Sequence, residues 1–347
     1  MNKMDIETPL SPKDYASDQE VRWCPGCGDY AVLKAVQKTL ADRGAGLENT
    51  VFISGIGCSS RLPYYLETYG FHTIHGRAPA VATGVKLTNP ALDVWIVTGD
   101  GDGFSIGGNH MLHVLRRNVD VQILLFNNEI YGLTKGQFSP TSAPGLRTPS
   151  TPLGSLDAPV NPCAFAIGAG ARFVARSADT IQKHLVEVMS AAHANKGASF
   201  VEILQNCIVY NDGVFEAETN KKTSADNTIS VRHGEPLIFG KEQTKGLRLS
   251  PGGFGIDVVS LTDDGVSRDD LLIHDQTNPQ LAMALAHLEP PHGPRAIGVL
   301  YCNPAESFDH QTASQIAGAK ARRKTPEPDV HEDIAALLRS GAHIVER

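Results

Sequence analysis

Asp93-Val94-Trp95-Ile96-Val97-Thr98 running into Gly99-Asp100-Gly101-Asp102-Gly103, and Val121-Gln122-Ile123-Leu124-Leu125-Phe126 running into Asn127-Asn128-Glu129-Ile130-Tyr131-Gly132, decide how this chain folds. Each apolar run is too short for a buried helix and is bounded by turn residues, so each reads as a strand buried on both faces. Ile106 to Arg117, between them, reads as a helix. Strand, helix, strand at this length is a right-handed crossover joining parallel neighbours. The expected class is α/β, a parallel sheet flanked by helices.

Asp100 and Asn128 then fall just past the carboxyl ends of two strands, 28 residues apart. Open parallel sheets bind ligands at that edge. Glycines let the backbone approach phosphate, and the free N–H groups opening a helix favour an anion. A diphosphate there needs a hard cation. Mg²⁺ takes oxygen ligands, which Asp100 supplies as carboxylate, Asn128 as amide oxygen and Ile130 as carbonyl. Alone, Gly-Asp-Gly is a common turn; Asn-Asn closing the next strand makes it half of a site.

The pairing resembles the thiamine-diphosphate enzymes, whose diphosphate domain carries Gly-Asp-Gly, a spacer of this length, and Asn-Asn. The resemblance implies that Asp100, Asn128 and Ile130 hold Mg²⁺, that Gly101, Asp102, Gly132 and Leu133 meet the diphosphate, and that His75, in His75-Gly76-Arg77-Ala78, lies close by.

The chain has 347 residues, 41% hydrophobic and 20% charged, with a formal net charge of −7. These values fit a globular protein and argue against nucleic acid as the main partner. No apolar run spans a membrane. The polar, acidic start has neither the basic residues nor the apolar core of a signal peptide, so the expected location is cytoplasmic. Further elements read as a helix over Tyr30–Arg43, strands over Thr50–Ser54, Arg172–Ala175 and Ser199–Leu204, and a helix near Thr180–Ala194. Phe138 to Pro162, with six prolines and no period, reads as a long functional loop. The expected organisation is an arm (1–22), a cofactor domain (23–218) and an extension (219–347) that packs on the domain and on a partner. Within the extension a strand is expected over Ala296–Tyr301 and a terminal helix over Asp329–Leu338.

Six cysteines in a chain without an export signal point to metal or redox use rather than disulfides. Cys24-Pro25-Gly26-Cys27 fits a dithiol opening a helix, but a polar arm precedes it where a thioredoxin-like fold needs a strand. Structural zinc commonly closes with a second Cys-x-x-Cys, which is missing. Cys58, after one strand, and Cys207, after another, would join Cys24 and Cys27 at the edge that carries Asp100 and Asn128. Four such thiolates suit a [4Fe–4S] cluster. Zinc and dithiol chemistry remain the alternatives. Cys163 and Cys302 have no ligand context.

Together, Trp23-Cys24-Pro25-Gly26-Cys27-Gly28, Gly55-Ile56-Gly57-Cys58-Ser59, His75 to Ala78, Gly99 to Gly108 and Asn127 to Gln137 resemble the β subunits of the 2-oxoacid:ferredoxin oxidoreductases. The likeness covers residues 20–215, with a looser one to the 2-oxoglutarate branch over 269–303. It implies Ile56, Gly57, Cys58 and Ser59 beside the cofactor. It also implies oxidative decarboxylation of a 2-oxoacid on thiamine diphosphate, possible in reverse as reductive carboxylation. Single electrons pass through the cluster to ferredoxin, and coenzyme A takes the acyl group. Arg61 and Lys135 are the candidates to receive substrate carboxylate. Two cations suit a dicarboxylic acid, 2-oxoglutarate, better than pyruvate, which is the runner-up. The glutamate that activates thiamine is missing, so the resemblance implies an α subunit, in an αβ or α₂β₂ assembly, that completes the site. A zinc-stabilised binding module is the non-enzymatic alternative.

Overall fold

The protein is described from a computed structural model covering residues 9–322 except 264, together with Ala336 and Leu338. The expected terminal helix over Asp329–Leu338 lies outside the described residues apart from those two positions, both helical. The chain divides into two units, Met1–Asp309 and His310–Arg347.

The first unit begins with helix α1 (Asp29–Arg43), strands β1 (Thr50–Ser54) and β2 (Tyr69–His72), and helix α2 (Ala78–Thr88). Next come β3 (Asp93–Gly99), α3 (Asp100–Phe104), α4 (Gly108–Arg117) and β4 (Gln122–Asn127). A small ribbon, β5 (Ile130–Tyr131) with β6 (Gln137–Phe138), precedes α5 (Pro162–Gly168), β7 (Phe173–Ala178), α6 (Gln182–Ala194) and β8 (Ser199–Leu204). The remainder comprises the short helices α7 (Glu216–Thr219) and α8 (Ser224–Asn227), β9 (Thr228–Val231), β10 (Ile238–Phe239), β11 (Lys245–Leu249), β12 (Ile256–Ser260), α9 (Pro279–His287) and β13 (Arg295–Cys302). In the second unit the described chain is helical to Ala321, within α10 (Phe308–Ala321).

Eight strands form one sheet in the order β2-β1-β3-β4-β8-β7-β13-β9. The strands from β2 to β7 run parallel, as expected from the β3–β4 crossover. The sheet is nevertheless mixed: β13 runs antiparallel to β7 and β9 parallel to β13. Residues after Thr219 thus add β9 and β13 to this sheet, while β10, β11 and β12 form a separate antiparallel sheet. The arm is anchored: Tyr15 is fully buried and its hydroxyl donates to the Ala45 carbonyl at 2.5 Å.

Alternation along the central strands loads both faces. Val94, Ile96, Ile123 and Leu125 join one apolar cluster, and Trp95, Val97, Leu124 and Phe126 the other. This is why β3 and β4 read as unbroken apolar runs. Helices cover both faces, so the carboxyl edge of the parallel strands is left for a site.

One ion pair lies inside this core. Arg176 Nε donates to Glu202 Oε2 at 2.7 Å, with both side chains at most 1% exposed. Burial alone would raise the Glu202 carboxyl. The Arg176 charge and hydrogen bonds from Arg176, Asn127 and Cys163 outweigh it and hold the group below the ordinary carboxylate range. The pair therefore stabilises the fold above the ordinary carboxylate range, and this contribution is lost as pH falls through the depressed value. Arg176→Met leaves the carboxylate buried without its cation and should destabilise the chain by about 3–5 kcal/mol at neutral pH. Urea unfolding across pH checks this: the variant should also lose the wild-type decline in stability on acidification.

Candidate cofactor and metal site

The carboxyl ends of β1, β3 and β4 deliver Gly55, Gly99-Asp100 and Asn127-Asn128 to one edge. One groove there is lined by Ile56, Gly57, Cys58, Ser59, His75, Asp100, Gly101, Asp102, Asn128, Ile130, Gly132 and Leu133. Every residue expected around the diphosphate and its cation is in it.

Asp100 opens α3 and is 2% exposed. Its Oδ2 accepts from the Ser139 hydroxyl at 2.5 Å and the Thr141 hydroxyl at 2.7 Å. Burial raises the carboxyl above its ordinary value, and the two hydroxyls partly oppose this. No side chain among the described residues donates to Oδ1, while the backbone N–H groups of Asp100 and Gly101 also favour the ionised carboxyl. A divalent charge would favour the ionised form. Asn128 donates its amide N–H to Gln205 Oε1 at 2.6 Å, and its amide oxygen accepts the Ile130 N–H at 3.3 Å, which leaves that oxygen one further acceptor position. A carboxylate and an amide oxygen facing one groove are the hard donors Mg²⁺ requires, so the residues fit that ion.

Asp102, expected at the diphosphate, lines the groove, and its carboxylate is bound to the scaffold. It is 2% exposed. Oδ1 accepts the N–H of Ile56 at 3.0 Å and of Gly76 at 2.8 Å, and Oδ2 accepts the Thr98 hydroxyl at 2.7 Å. His75 Nδ1 also lies 2.9 Å from Oδ1. A carboxylate committed to these donors, and itself anionic, ties the loops after β1 and β2 to α3; it cannot receive a phosphate on its side chain. The approach is so close that a Cβ on Gly55 would lie 1.8 Å from Asp102 Oδ2. Gly101 is similarly confined, because its Cβ would meet the Tyr131 ring at 2.4 Å, and Tyr131 donates to the Gly101 carbonyl at 2.8 Å.

Beside the groove is a cavity of about 210 Å³ lined by Cys24, Cys27, Cys58 and Cys207, with Arg61 and Lys135 at its wall. Cys24 and Cys27 come from the turn leading into α1, Cys58 from the turn after β1, and Cys207 from the turn after β8. All six cysteines are free thiols. Burial, with nearby Asp29 and Cys207, pushes the Cys58 thiol up to about 12 and raises Cys27 as well. Among the described residues no three His, Cys, Asp or Glu side chains converge as a metal-binding group, so the four thiols surround a cavity rather than meet at a point. A single tetrahedral zinc would need sulfurs about 2.3 Å from one centre. A hollow of this size with four sulfur donors fits a polynuclear cluster better.

A third cavity, about 360 Å³, shares Ile56, Gly57 and Leu133 with the groove and is lined also by Arg22, Arg61, Tyr64 and His72. The Arg61 Nε is buried without a hydrogen-bond partner among the described residues. Lys135 is exposed and held at φ 74° in the tight turn before Gly136.

Sequence reasoning missed four contributors. Ser139 and Thr141 sit at the start of the loop read only as functional. Gln205 lies two residues before Cys207. Asp29 is 1% exposed in the first turn of α1, and burial pushes its carboxyl up to about 7. The two-residue spacing of Asp29 from Cys27 is a signal that could have found it, whereas Gln205 takes its role from long-range partners. Nothing local marks the two hydroxyls.

Residues 55–203 match the family described as thiamine pyrophosphate enzyme, C-terminal TPP binding domain. The chain is 51% identical over 317 residues to the 2-oxoglutarate oxidoreductase subunit KorB of Mycobacterium tuberculosis, covering 90% of this chain and 84% of that one. It is 48% identical over 199 residues to subunit beta of 2-oxoacid:ferredoxin oxidoreductase 1 of Aeropyrum pernix, covering 57% and 62% of the two chains. Among solved structures it resembles a 2-oxoglutarate:ferredoxin oxidoreductase from Magnetococcus marinus with 2-oxoglutarate, coenzyme A and succinyl-CoA bound. There the TM-score is 0.74 at 34% identity, covering 94% of this chain and 96% of that one. A thiamine-type diphosphate groove beside a cavity lined by four cysteines and this degree of likeness agree: the chain belongs to the β-subunit family of the 2-oxoacid:ferredoxin oxidoreductases.

Proposed function

We propose that this chain is the β subunit of a 2-oxoglutarate:ferredoxin oxidoreductase. With an α subunit it converts 2-oxoglutarate and coenzyme A to succinyl-CoA and CO₂, and the two electrons released leave singly to ferredoxin. The single observation that carries the reading is the placement of the diphosphate groove against the four-cysteine cavity, with Cys58, Asn128, Gly132 and Leu133 lining both. When bound, thiamine diphosphate supplies an electron sink for decarboxylation and a [4Fe–4S] cluster supplies a one-electron outlet.

The chain's own residues supply the rest. Asp100, Asn128 and the Ile130 carbonyl hold the Mg²⁺ that neutralises the diphosphate. The backbone around Gly101 and Gly132 approaches the phosphates where side chains would block it. Cys24, Cys27, Cys58 and Cys207 hold the cluster. Arg61, half-buried, presents a buried, unpartnered Nε–H at the wall between cavities, a donor that suits an anion. It receives a substrate carboxylate, and Lys135, on the exposed turn, adds a second positive charge. The bound 2-oxoglutarate of the Magnetococcus marinus enzyme favours the dicarboxylic substrate here. Among the described residues no helix is long and apolar enough to cross a membrane, which agrees with a protein that meets ferredoxin in the cytoplasm.

The test is reduction of ferredoxin by the complex of this chain with its α subunit. 2-Oxoglutarate should support a rate at least about tenfold above pyruvate or branched-chain 2-oxoacids, the scale of one lost charge-assisted contact. A preference for pyruvate would remove the substrate assignment. Arg61→Ala should raise the KM for 2-oxoglutarate by about tenfold or more while bound iron is unchanged. Cys207→Ala should lose most acid-labile sulfide and iron from the purified complex; full retention would remove Cys207 from the ligand set, and stoichiometric zinc in the wild type would remove the cluster.

A further inference from the structure

Gln205 makes side-chain hydrogen bonds to both halves of the site. It follows β8, is 1% exposed, and is surrounded by polar partners at defined distances. Its Oε1 accepts the Asn128 amide N–H at 2.6 Å. Its Nε2 donates to Cys27 Sγ at 3.4 Å and to the Asn206 carbonyl at 2.7 Å. The backbone is fixed as well, since the Gln205 N–H donates to the Asn127 carbonyl at 2.9 Å. These bonds leave the amide little freedom to turn.

Both contacts have consequences at their far ends. An Asn amide can present either its oxygen or its NH₂ to a cation, and only the oxygen binds. By taking the N–H, Gln205 fixes the NH₂ end of Asn128, while the Ile130 N–H at 3.3 Å meets its oxygen, so the two contacts together set which end is the acceptor. A neutral amide N–H directed at a thiolate sulfur offsets negative charge, which favours the more negative, reduced form of a cluster held by that sulfur. Because one rigid amide makes both contacts, disturbance at either end reaches the other.

We infer that Gln205 is a positioning residue that couples the cation–diphosphate site to the four-cysteine cavity: its oxygen helps set the orientation of Asn128, and its N–H tunes the group held by Cys27. The inference rests on the reading of the two sites given above and goes beyond it in assigning one residue to both.

The test uses the complete complex with its α subunit. Cluster midpoint potential is read by EPR during redox titration, and Mg²⁺-dependent thiamine diphosphate affinity by calorimetry after the cofactor is stripped. Gln205→Met has nearly the same shape and makes neither bond. It should lower the potential and weaken thiamine diphosphate binding by about tenfold or more, the scale expected when a partner of a metal ligand is lost. Gln205→Glu keeps an acceptor toward Asn128 and replaces the amide donor. It should lower the potential while affinity stays within about twofold of wild type, and it carries the test if the Met variant fails to assemble. A Gln205→Met complex in which only one property changes, or neither, overturns the coupling, as does a Gln205→Glu complex with wild-type potential. A wild-type complex without cluster iron or without Mg²⁺-dependent thiamine diphosphate binding removes the reading of the sites themselves, and the coupling with it.

Discussion

A row of buried polar groups crosses the carboxyl edge of the sheet, and the site depends on it. Arg176 binds Glu202, whose other oxygen accepts from Asn127 Nδ2 at 2.8 Å. The single proton of the Thr141 hydroxyl is shared between Asp100 Oδ2 at 2.7 Å and Asn127 Oδ1 at 3.0 Å, and Asn127 Oδ1 also accepts the Glu129 N–H at 3.3 Å. An unpaired buried carboxylate or amide is expensive, so a row of this kind is stable only when each member is satisfied by the next. The core ion pair and the exposed chemistry are thus one structure. Arg176 fixes Glu202, Glu202 fixes the Asn127 amide, and Asn127 helps hold the hydroxyl that orients Asp100.

The same row explains the proline-rich loop. Ser139-Pro140-Thr141-Ser142 closes over the strand ends as a clasp. Ser139 and Thr141 hold Asp100 from β3's end, and the Ser142 hydroxyl donates to the Glu129 carbonyl at 2.5 Å, beyond β4. The two halves of the motif, separated by α3 and α4, are held in place by a third segment that neither half specifies. Asp102 does comparable work from the opposite side, binding backbone N–H groups at residues 56 and 76. Two buried aspartates two residues apart thus diverge in role: one keeps an oxygen that no described side chain binds, and the other has its oxygens taken up by the scaffold.

What could be read from the sequence was what is encoded locally. β1 matches its expected span, Thr50–Ser54, and β3 and β4 run as their unbroken apolar composition requires. Most residues expected around the groove and the cysteine cavity line them because they follow strand ends, which a parallel sheet brings to one side, whereas Cys24 and Cys27 arrive from the turn before α1. The rest was hidden for stated reasons. β2 has four exposed residues and no apolar pattern, so an edge strand went unread. β9 and β13 join a sheet whose other strands lie far away in sequence, and the antiparallel entry of β13 leaves no local mark. The Leu237–Arg248 segment looks like turns because β10 and β11 belong to a small separate sheet. Ser139, Thr141 and Gln205 are ordinary polar residues by composition; only their long-range partners give them a role.

The groove and the cavity share a wall formed by Cys58, Asn128, Gly132 and Leu133, and Gly132 is its smallest member. A Cβ there would lie 3.4 Å from Cys207 Sγ and 3.7 Å from Cys58 Sγ, in ordinary contact distance of both. A larger side chain would have to enter either the groove or the thiol cavity, since the same backbone lines both. On the proposed reading this has a direct use. Electrons leaving a decarboxylated substrate one at a time need a short path, and a glycine in the shared wall adds no side chain between donor and acceptor. The constraint therefore extends from the Gly-Asp-Gly turn, where missing side chains admit phosphate, to Gly132, where a missing side chain keeps two chemistries adjacent.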